Sequence, residues 1–393
     1  MIVIKKKILF LGIAAFIFAY TSGGNLPYSI FYVFFVTIVF GIIYMLIVKK
    51  NLHAKFEYDR VVFSVSDRAN IKIAVGNLGM LPAPYVYIES KILSSFIEGY
   101  RGDLIFLGGN DRKCINNEIT FTKRGIYDFG NISITTNDLF CILRVVKKIH
   151  NKLNIAVYPK VYQLSDSDLR RGQDDYGNIV NSKSGIDDFT CIKSIRKYNT
   201  GDNLKSVHWK LSAKHGELYV KNFDMVSGEK CKIFINMHRD NLLNDSTGVI
   251  EENMVDFSAS LAKHMMINKI KTRVFIHSKR QNSIEVESKE DFLGLMEYLL
   301  KCKSDGTFEF ASFIKSNLQH VPSGNSIIII SIAIDDNLRN LIVNLKGSGY
   351  KVNVFYYGNN LNGFRNANFV RNMDILKNMR IECINFKEII EKR

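Results

Sequence analysis

Between Leu26 and Val48 the chain passes through apolar and aromatic residues without a single charge, and Lys49-Lys50 closes the run. As a helix rising 1.5 Å per residue it reaches about 35 Å, enough to cross a hydrocarbon core of about 30 Å. A shorter apolar run, Ile8 to Tyr20, precedes it. Lys5, Lys6 and Lys7 stand in front, and Thr21-Ser22-Gly23-Gly24-Asn25 separates the two runs. One reading makes the first run a signal peptide cleaved near Ser22 or Gly23. The other makes both runs a transmembrane helical hairpin. A run of full spanning length follows within a few residues, which favours the hairpin. Lysines flank both outer ends and the turn has none, so both ends are expected in the cytoplasm. The expected location is therefore the cell membrane, two-pass, with the large C-terminal part cytoplasmic. Two buried core helices fit less well, because neither run has a polar face.

The 393 residues suffice for two or three domains. A net charge of +15 favours anionic partners: lipid head groups, nucleic acid or an acidic protein surface. The cysteines (Cys114, Cys141, Cys191, Cys231, Cys302, Cys383) lie far apart with no C-x-x-C pair. That spacing excludes the common zinc and redox motifs and suits reduced, mostly buried thiols. Five prolines and no low-complexity tract argue against a long disordered linker.

Four regions follow: residues 1–50, the hairpin; 51–162; 163–225; and 226–393. In the second the hydrophobic period is two. Val61 to Val65, Ile71 to Val75, Tyr85 to Glu89, Glu118 to Phe121, Gly125 to Phe129, Ile132 to Thr135 and Leu153 to Tyr158 read as strands. Glycine- and asparagine-bearing turns separate them, which predicts a small β-sandwich. Asp166 to Ser184 reads as an exposed loop, with a short helical piece over Leu164 to Arg171. The last region alternates. Strands are predicted at Cys231 to Asn236, Thr272 to His277, Ile327 to Ile332, Lys351 to Tyr357 and Arg380 to Phe386. Helices are predicted at Gly248 to Lys271, Ser288 to Lys301, Phe310 to Gln319 and Asp336 to Lys346. Ser288 with Asp291 makes a capping box, and Gly347 signals a C-terminal stop. Alternation of this kind means βαβ units and a parallel sheet covered on both faces, a doubly wound α/β domain.

In such a sheet ligands bind beyond the C-terminal ends of the strands. The first such edge is Asn236-Met237-His238-Arg239-Asp240. A magnesium-binding edge of the von Willebrand factor A type would carry Asp-x-Ser-x-Ser there, since hard cations want carboxylate and hydroxyl oxygens. Asn236, His238 and Asp240 make a degenerate version, so no metal is expected. Cys191, His208 and Asp202 could be imagined as nucleophile, base and orienter, and Ser212 with His215 likewise. No Gly-x-Ser-x-Gly elbow accompanies them, and structural or surface roles are the plainer reading. No phosphate-binding glycine loop is present, so the chain is not itself a P-loop ATPase. No cofactor is expected.

The most informative stretch is Ile195 to Asp224, which holds the only tryptophan, Trp209, among Tyr198, Tyr219, Arg196, Lys197, Lys205, Lys210, Lys214 and Lys221. Basic and aromatic side chains in alternation could follow a nucleic-acid backbone. They better suit an aromatic residue packed between domains with lysines reaching water. The second reading predicts a buried Trp209, and nucleic acid is not expected as a partner. A clamp between Arg196 and Asp202, with turn chemistry at Gly201-Asp202, is a further expectation.

This stretch resembles the signature of the domain-of-unknown-function family 58. The matching positions are Arg196, Tyr198, Gly201, Asp202, Val207, Trp209, Lys210, Ala213, Leu218, Val220 and Lys221, and His208 lies among them. Lys123 to Tyr127, Asn137 to Phe140 and Val157 to Pro159 are similar to the region preceding that signature. With the N-terminal hairpin, the resemblance covers nearly the whole chain. It implies a von Willebrand factor A-like domain after the signature. It further implies a non-enzymatic adaptor or co-chaperone role beside a MoxR-type AAA+ ATPase, with the signature as docking surface. The alternatives from the residues alone are an enzyme acting on membrane-linked or cell-envelope substrates through His208, Asp202 or Cys191, and a binder of anionic lipid or nucleic acid.

Overall fold

The computed structural model describes residues 2–4, 6–151, 153–169, 187–198, 207–225, 231–242, 245, 247–318, 325–358 and 367–393. The chain divides into two compact units, Met1–Tyr158 and Pro159–Arg393.

The first unit begins with strand β1 (Ile2–Ile4), then helices α1 (Lys6–Ser22) and α2 (Asn25–Asn51). Gly23 and Gly24 both adopt positive φ between the helices, a conformation glycine reaches without Cβ strain. Phe16 meets Phe31 at 5.5 Å between ring centroids. Among the described residues, α2 is the one helix long and apolar enough to cross a membrane by length and composition, and the apolar part of α1 is shorter. β2 (Leu52–Tyr58), β3 (Val62–Ser64), β4 (Arg68–Asn77) and β5 (Ala83–Glu89) follow, then a short α3 (Lys91–Phe96). β6 (Asp103–Leu107), β7 (Arg112–Thr120), β8 (Gly125–Asp128), β9 (Asn131–Asn137), β10 (Leu143–His150) and β11 (Asn154–Tyr158) complete the unit.

These strands form three sheets, ordered β1-β10-β9-β5-β6, β2-β4-β7 and β3-β11-β8. Alternate residues turn inward, and Phe56, Ile73, Ile88, Phe121, Phe129 and Ile134 share one core. Tyr44, Met45 and Val48 of α2 and Leu52 just after it belong to that core. Lys147 of β10 donates to the carbonyls of Lys50 and Leu52, satisfying backbone groups that the end of α2 leaves open. β1 was not foreseen. Its three residues pair antiparallel with β10, Ile4 opposite Leu143 and Ile2 opposite Val145. A strand this short gains its identity from the partner it meets, not from its own pattern.

In the second unit, Asp166 to Leu169 is a turn where the helical piece over Leu164 to Arg171 was expected, and residues 170–184 of the predicted loop lie outside the described residues. β12 (Asp187–Lys197), α4 (Trp209–His215) and β13 (Tyr219–Met225) carry the described part of the signature. β14 (Cys231–Asn236), α5 (Val249–Ile267), β15 (Thr272–His277), β16 (Asn282–Val286), α6 (Lys289–Lys301), α7 (Phe310–Asn317), β17 (Ser326–Ser331), α8 (Asp336–Gly347), β18 (Lys351–Tyr356), α9 (Ala367–Asn378), β19 (Glu382–Asn385) and α10 (Phe386–Glu391) follow.

The main sheet runs β16-β15-β14-β17-β18-β19. Five strands are parallel, as expected; β16 pairs antiparallel with β15 and closes one edge. Phe313, Leu338, Ile342, Met373 and Leu376 from α7, α8 and α9 pack on Phe234, Ile329 and Val354. On the other face Phe257 of α5 meets Phe355 at 5.0 Å and Phe386 at 5.1 Å. Both faces are thus covered, which explains the continuous apolar strands. Ser288 and Asp291 form the capping box anticipated for α6. Gly347 is not the C-terminal stop: it is the last residue of α8, and Gly349 takes the positive φ of 87°.

His277 at the end of β15 is fully buried, its ring 5.0 Å from that of Phe313 and 5.3 Å from that of Phe310. Burial lowers its pKa to about 4, the neighbouring His238 acts in the same direction, and the Phe308 backbone opposes. The opposition is weak, since neither ring nitrogen meets the geometry of a formed hydrogen bond.

Two outcomes follow for stability. Phe257→Ala should destabilise the second unit by about 3–5 kcal/mol, read from the urea midpoint of detergent-solubilised protein. The unfolded chain protonates His277 near 6.5 and the folded chain near 4, so below 6.5 the unfolded state binds the extra proton. Stability should therefore fall by about 2–3 kcal/mol as pH drops from 7 toward 4.5, and His277→Phe should flatten that slope.

Candidate functional site

The signature residues that the structure describes make a strand–helix–strand arm. β12 and β13 pair antiparallel, with Arg196 opposite Val220 and Lys197 opposite Tyr219. Between them the chain returns through Val207, which bridges to Val220. His208 caps α4: its Nδ1 accepts from the Leu211 amide at 3.1 Å. The His208 amide in turn donates to the Tyr219 carbonyl at 2.8 Å. Ser212 accepts from the Tyr219 amide at 2.9 Å, and Gly216, at φ 72°, ends the helix. Two hydrogen bonds to one residue thus fasten α4 along β13, while Val207, Ser212 and Val220 fill the small interior. Tyr198 donates its amide to the Leu218 carbonyl at 2.9 Å, and Lys197 pairs with Glu217.

Trp209 is not buried. It is 65% exposed at the first position of α4, which corrects the expectation of a packed indole. The side chains that turn inward from this helix are the small Ser212 and the half-buried Leu211. Lys210, Ala213, Lys214 and His215 are exposed beside it, and Leu218 is 41% exposed. His215 approaches the ring of Tyr219 at 5.7 Å. Lys221 is half-buried. Gly201 and Asp202 lie outside the described residues, and with them the clamp to Arg196, whose guanidinium bonds the Lys197 carbonyl at 3.3 Å.

Of the imagined catalytic groupings, the structure describes the side chains of His208, Ser212 and His215, while Asp202 lies outside the described residues. Nδ1 of His208 is committed to the helix cap, and Ser212 is a structural acceptor. The backbone of Cys191 is in β12, and its side chain lies outside the described residues. Ser212 was legible only as a possible nucleophile; its fastening role depends on a backbone amide that sequence does not display.

At the C-terminal edge of the main sheet, side chains that follow β14 and β17 bond one another and nearby backbone. β14 has β15 on one side and β17 on the other, so the chain reverses its strand order at β14. This is where doubly wound sheets open a ligand crevice. Here Asn236 donates to Ser331 Oγ at 2.9 Å, and Ser331 donates to the Ala333 carbonyl at 2.6 Å. Asn236 Oδ1 accepts from the His238 amide at 3.2 Å, and His238 Nδ1 accepts from the Asp240 amide at 3.1 Å. The His238 ring lies parallel to that of His277, 5.9 Å away. Among the described residues no group of three or more His, Cys, Asp or Glu could hold a metal ion. None of the five cysteines whose side chains are described is in a disulfide; Cys231, Cys302 and Cys383 are buried.

No known family model matches the chain. It is 21% identical over 334 residues to the uncharacterized protein YeaD of Bacillus subtilis (strain 168), covering 83% of this chain and 81% of that protein. Among solved structures it is similar to the CARDB domain of the PF1109 protein from Pyrococcus furiosus at 20% identity and a TM-score of 0.20, over 27% of this chain and 86% of that one. The C-terminal domain of wzt is similar at 10% identity and a TM-score of 0.18, over 32% of this chain and 78% of that domain.

Proposed function

We propose that this protein is a non-enzymatic, membrane-anchored interaction protein of the domain-of-unknown-function family 58 type, acting as adaptor or co-chaperone for a MoxR-type AAA+ ATPase. The observation that carries the reading is the exposed Trp209 on a fastened helix, with Lys210 and Lys214 beside it. Leaving a large aromatic in water forfeits its burial free energy, and rigid aromatic anchors framed by polar groups are what protein partners bind most strongly. The signature resemblance supplies the class of partner. The doubly wound sheet supports a von Willebrand factor A-like domain whose metal edge has become a hydrogen-bonded plug. Helices α1 and α2 are the two-pass anchor of this reading, with the remainder in the cytoplasm.

Trp209 is the chain's only indole, so its emission reports this site alone. It should be red-shifted and readily quenched by acrylamide. Trp209→Ala should change stability by no more than about 0.5 kcal/mol, as at ordinary surface positions. The same change should weaken partner binding by about 2 kcal/mol or more, roughly thirty-fold. Pull-down with MoxR-type ATPases, with and without ATP, checks the partner: absence of any nucleotide-sensitive association argues against the adaptor role.

Topology has its own test. With Cys114 and Cys141 replaced by serine, an impermeant thiol reagent on intact cells should label a cysteine at Ser22 and leave one at Ser165 untouched. The reverse pattern, or trimming near Gly23, would identify the first run as a signal peptide.

A further inference from the structure

The helical pair leaves the β-rich unit at a definite level. Ile4 pairs with Leu143, and α1 begins two residues later. On α2 the same level is Gly41: a Cβ there would stand 3.2 Å from Leu143 Cδ1 and 3.7 Å from Asp138 Oδ2. A Cβ there would press on the end of the Leu143 side chain, so a glycine eases the close approach of helix and turn. α1, with 17 residues, and the equal stretch of α2 from Asn25 to Gly41 therefore project about 25 Å beyond the sheets. A hydrocarbon core is about 30 Å thick. With the Gly23-Gly24 turn at its far boundary, the near boundary falls about 5 Å past Gly41, alongside the β-rich unit itself.

Two features agree with that depth. Past Gly41 the helix is two-faced: Tyr44, Met45 and Val48 enter the core, while Ile43, Leu46 and Ile47 stay exposed on the other side. The turn joining β9 to β10 also presents Leu139 and Phe140, 52% and 62% exposed. The turn is held firmly. The Cys141 amide donates to the Asp138 carbonyl at 3.0 Å, and the buried Asp138 carboxylate accepts from the Leu143 amide at 2.8 Å. A built turn that places two large apolar side chains in water, next to an apolar helix, matches the surface a bilayer would cover. Arg144, exposed one residue past the turn, has the reach to place its guanidinium among phosphates while its stem stays with the apolar chains.

We propose that the β9–β10 turn is a second bilayer contact, with Leu139 and Phe140 inserted at the hydrocarbon boundary so that the β-rich unit sits partly in the membrane, not below it. This rests on α1 and α2 spanning the membrane.

The test uses the full chain in phosphatidylcholine–phosphatidylglycerol vesicles whose acyl chains carry bromine, a contact quencher of indole. In a Trp209→Phe background, single tryptophans are placed by Val33→Trp, Phe140→Trp and Leu78→Trp. Val33 is exposed midway along the projecting part of α2. Leu78 is exposed and donates its amide to the Asn51 carbonyl, about 15 Å further along the helix than Gly41. Val33→Trp and Phe140→Trp should each lose at least half their emission relative to unbrominated vesicles, and Leu78→Trp should keep nearly all of it. If Val33→Trp is quenched and Phe140→Trp behaves as Leu78→Trp does, the turn lies in water and the proposal fails while the spanning reading stands. If Val33→Trp is also unquenched, both fail. Leu139→Cys carrying an environment-sensitive dye gives a second readout should Phe140→Trp disturb the turn: a blue shift on reconstitution supports insertion, and its absence overturns it.

Discussion

Tyr44, Met45 and Val48 lie on one side of α2 and take part in the same core as Phe56, Ile73 and Phe129. The organisation of the first unit depends on this shared helix. Burying side chains of this size contributes about 1.5–3 kcal/mol each, so the last turns of α2 are integral to the β-rich unit and cannot swing as a linker would. There is no spacer: the amide of Leu52, the first residue of β2, still bonds the Val48 carbonyl of the helix. Lys147 completes the joint. Burial and the nearby Lys49 hold its pKa below the usual lysine value, a cost offset by the helix-end carbonyls that the ammonium satisfies.

In the second unit a similar economy governs the sheet edge. Asn236, Ser331 and His238 bond to one another and to backbone at the place where related architectures admit ligands. Buried polar groups are costly unless satisfied, and Asn236 and Ser331 meet that demand in each other, whereas the ring nitrogens of neighbouring His277 do not. The arm bearing Trp209 is ordered in a different way, by a cap, a fastened helix and a left-handed stop in the space between His208 and Gly216.

Legibility followed the range of the interaction. Ser288 and Asp291 are three residues apart and their capping box was readable, as were the apolar strands Cys231–Asn236 and Thr272–His277. β16 escaped because Asn282–Val286 is short and mostly exposed, so its membership comes from backbone pairing with β15. The direction of Trp209 was beyond the pattern as well. Aromatic residues usually pack, whereas Trp209 stands 65% exposed at the start of a helix that spans only seven residues, too short for a periodic stripe to mark its inner face. A parallel sheet covered on both faces was anticipated from alternation, whereas its strand order was not and α9 and α10 were missed. In α9 the buried Met373 and Leu376 stand among polar neighbours that mask the stripe.

The pairing of β1 with β10 has a consequence in time. The partners Ile4 and Leu143 are separated by most of the first unit, so β1 leaves the ribosome long before its neighbour exists. At synthesis rates of roughly 5–20 residues per second the wait is on the order of ten seconds. Through that interval α1 and α2 are already complete, while the apolar Ile2-Val3-Ile4 has no sheet to join. The five-stranded sheet can gain its outermost strand only after translation has passed β10, making the segment ahead of the helices among the last pieces of the unit to find its place.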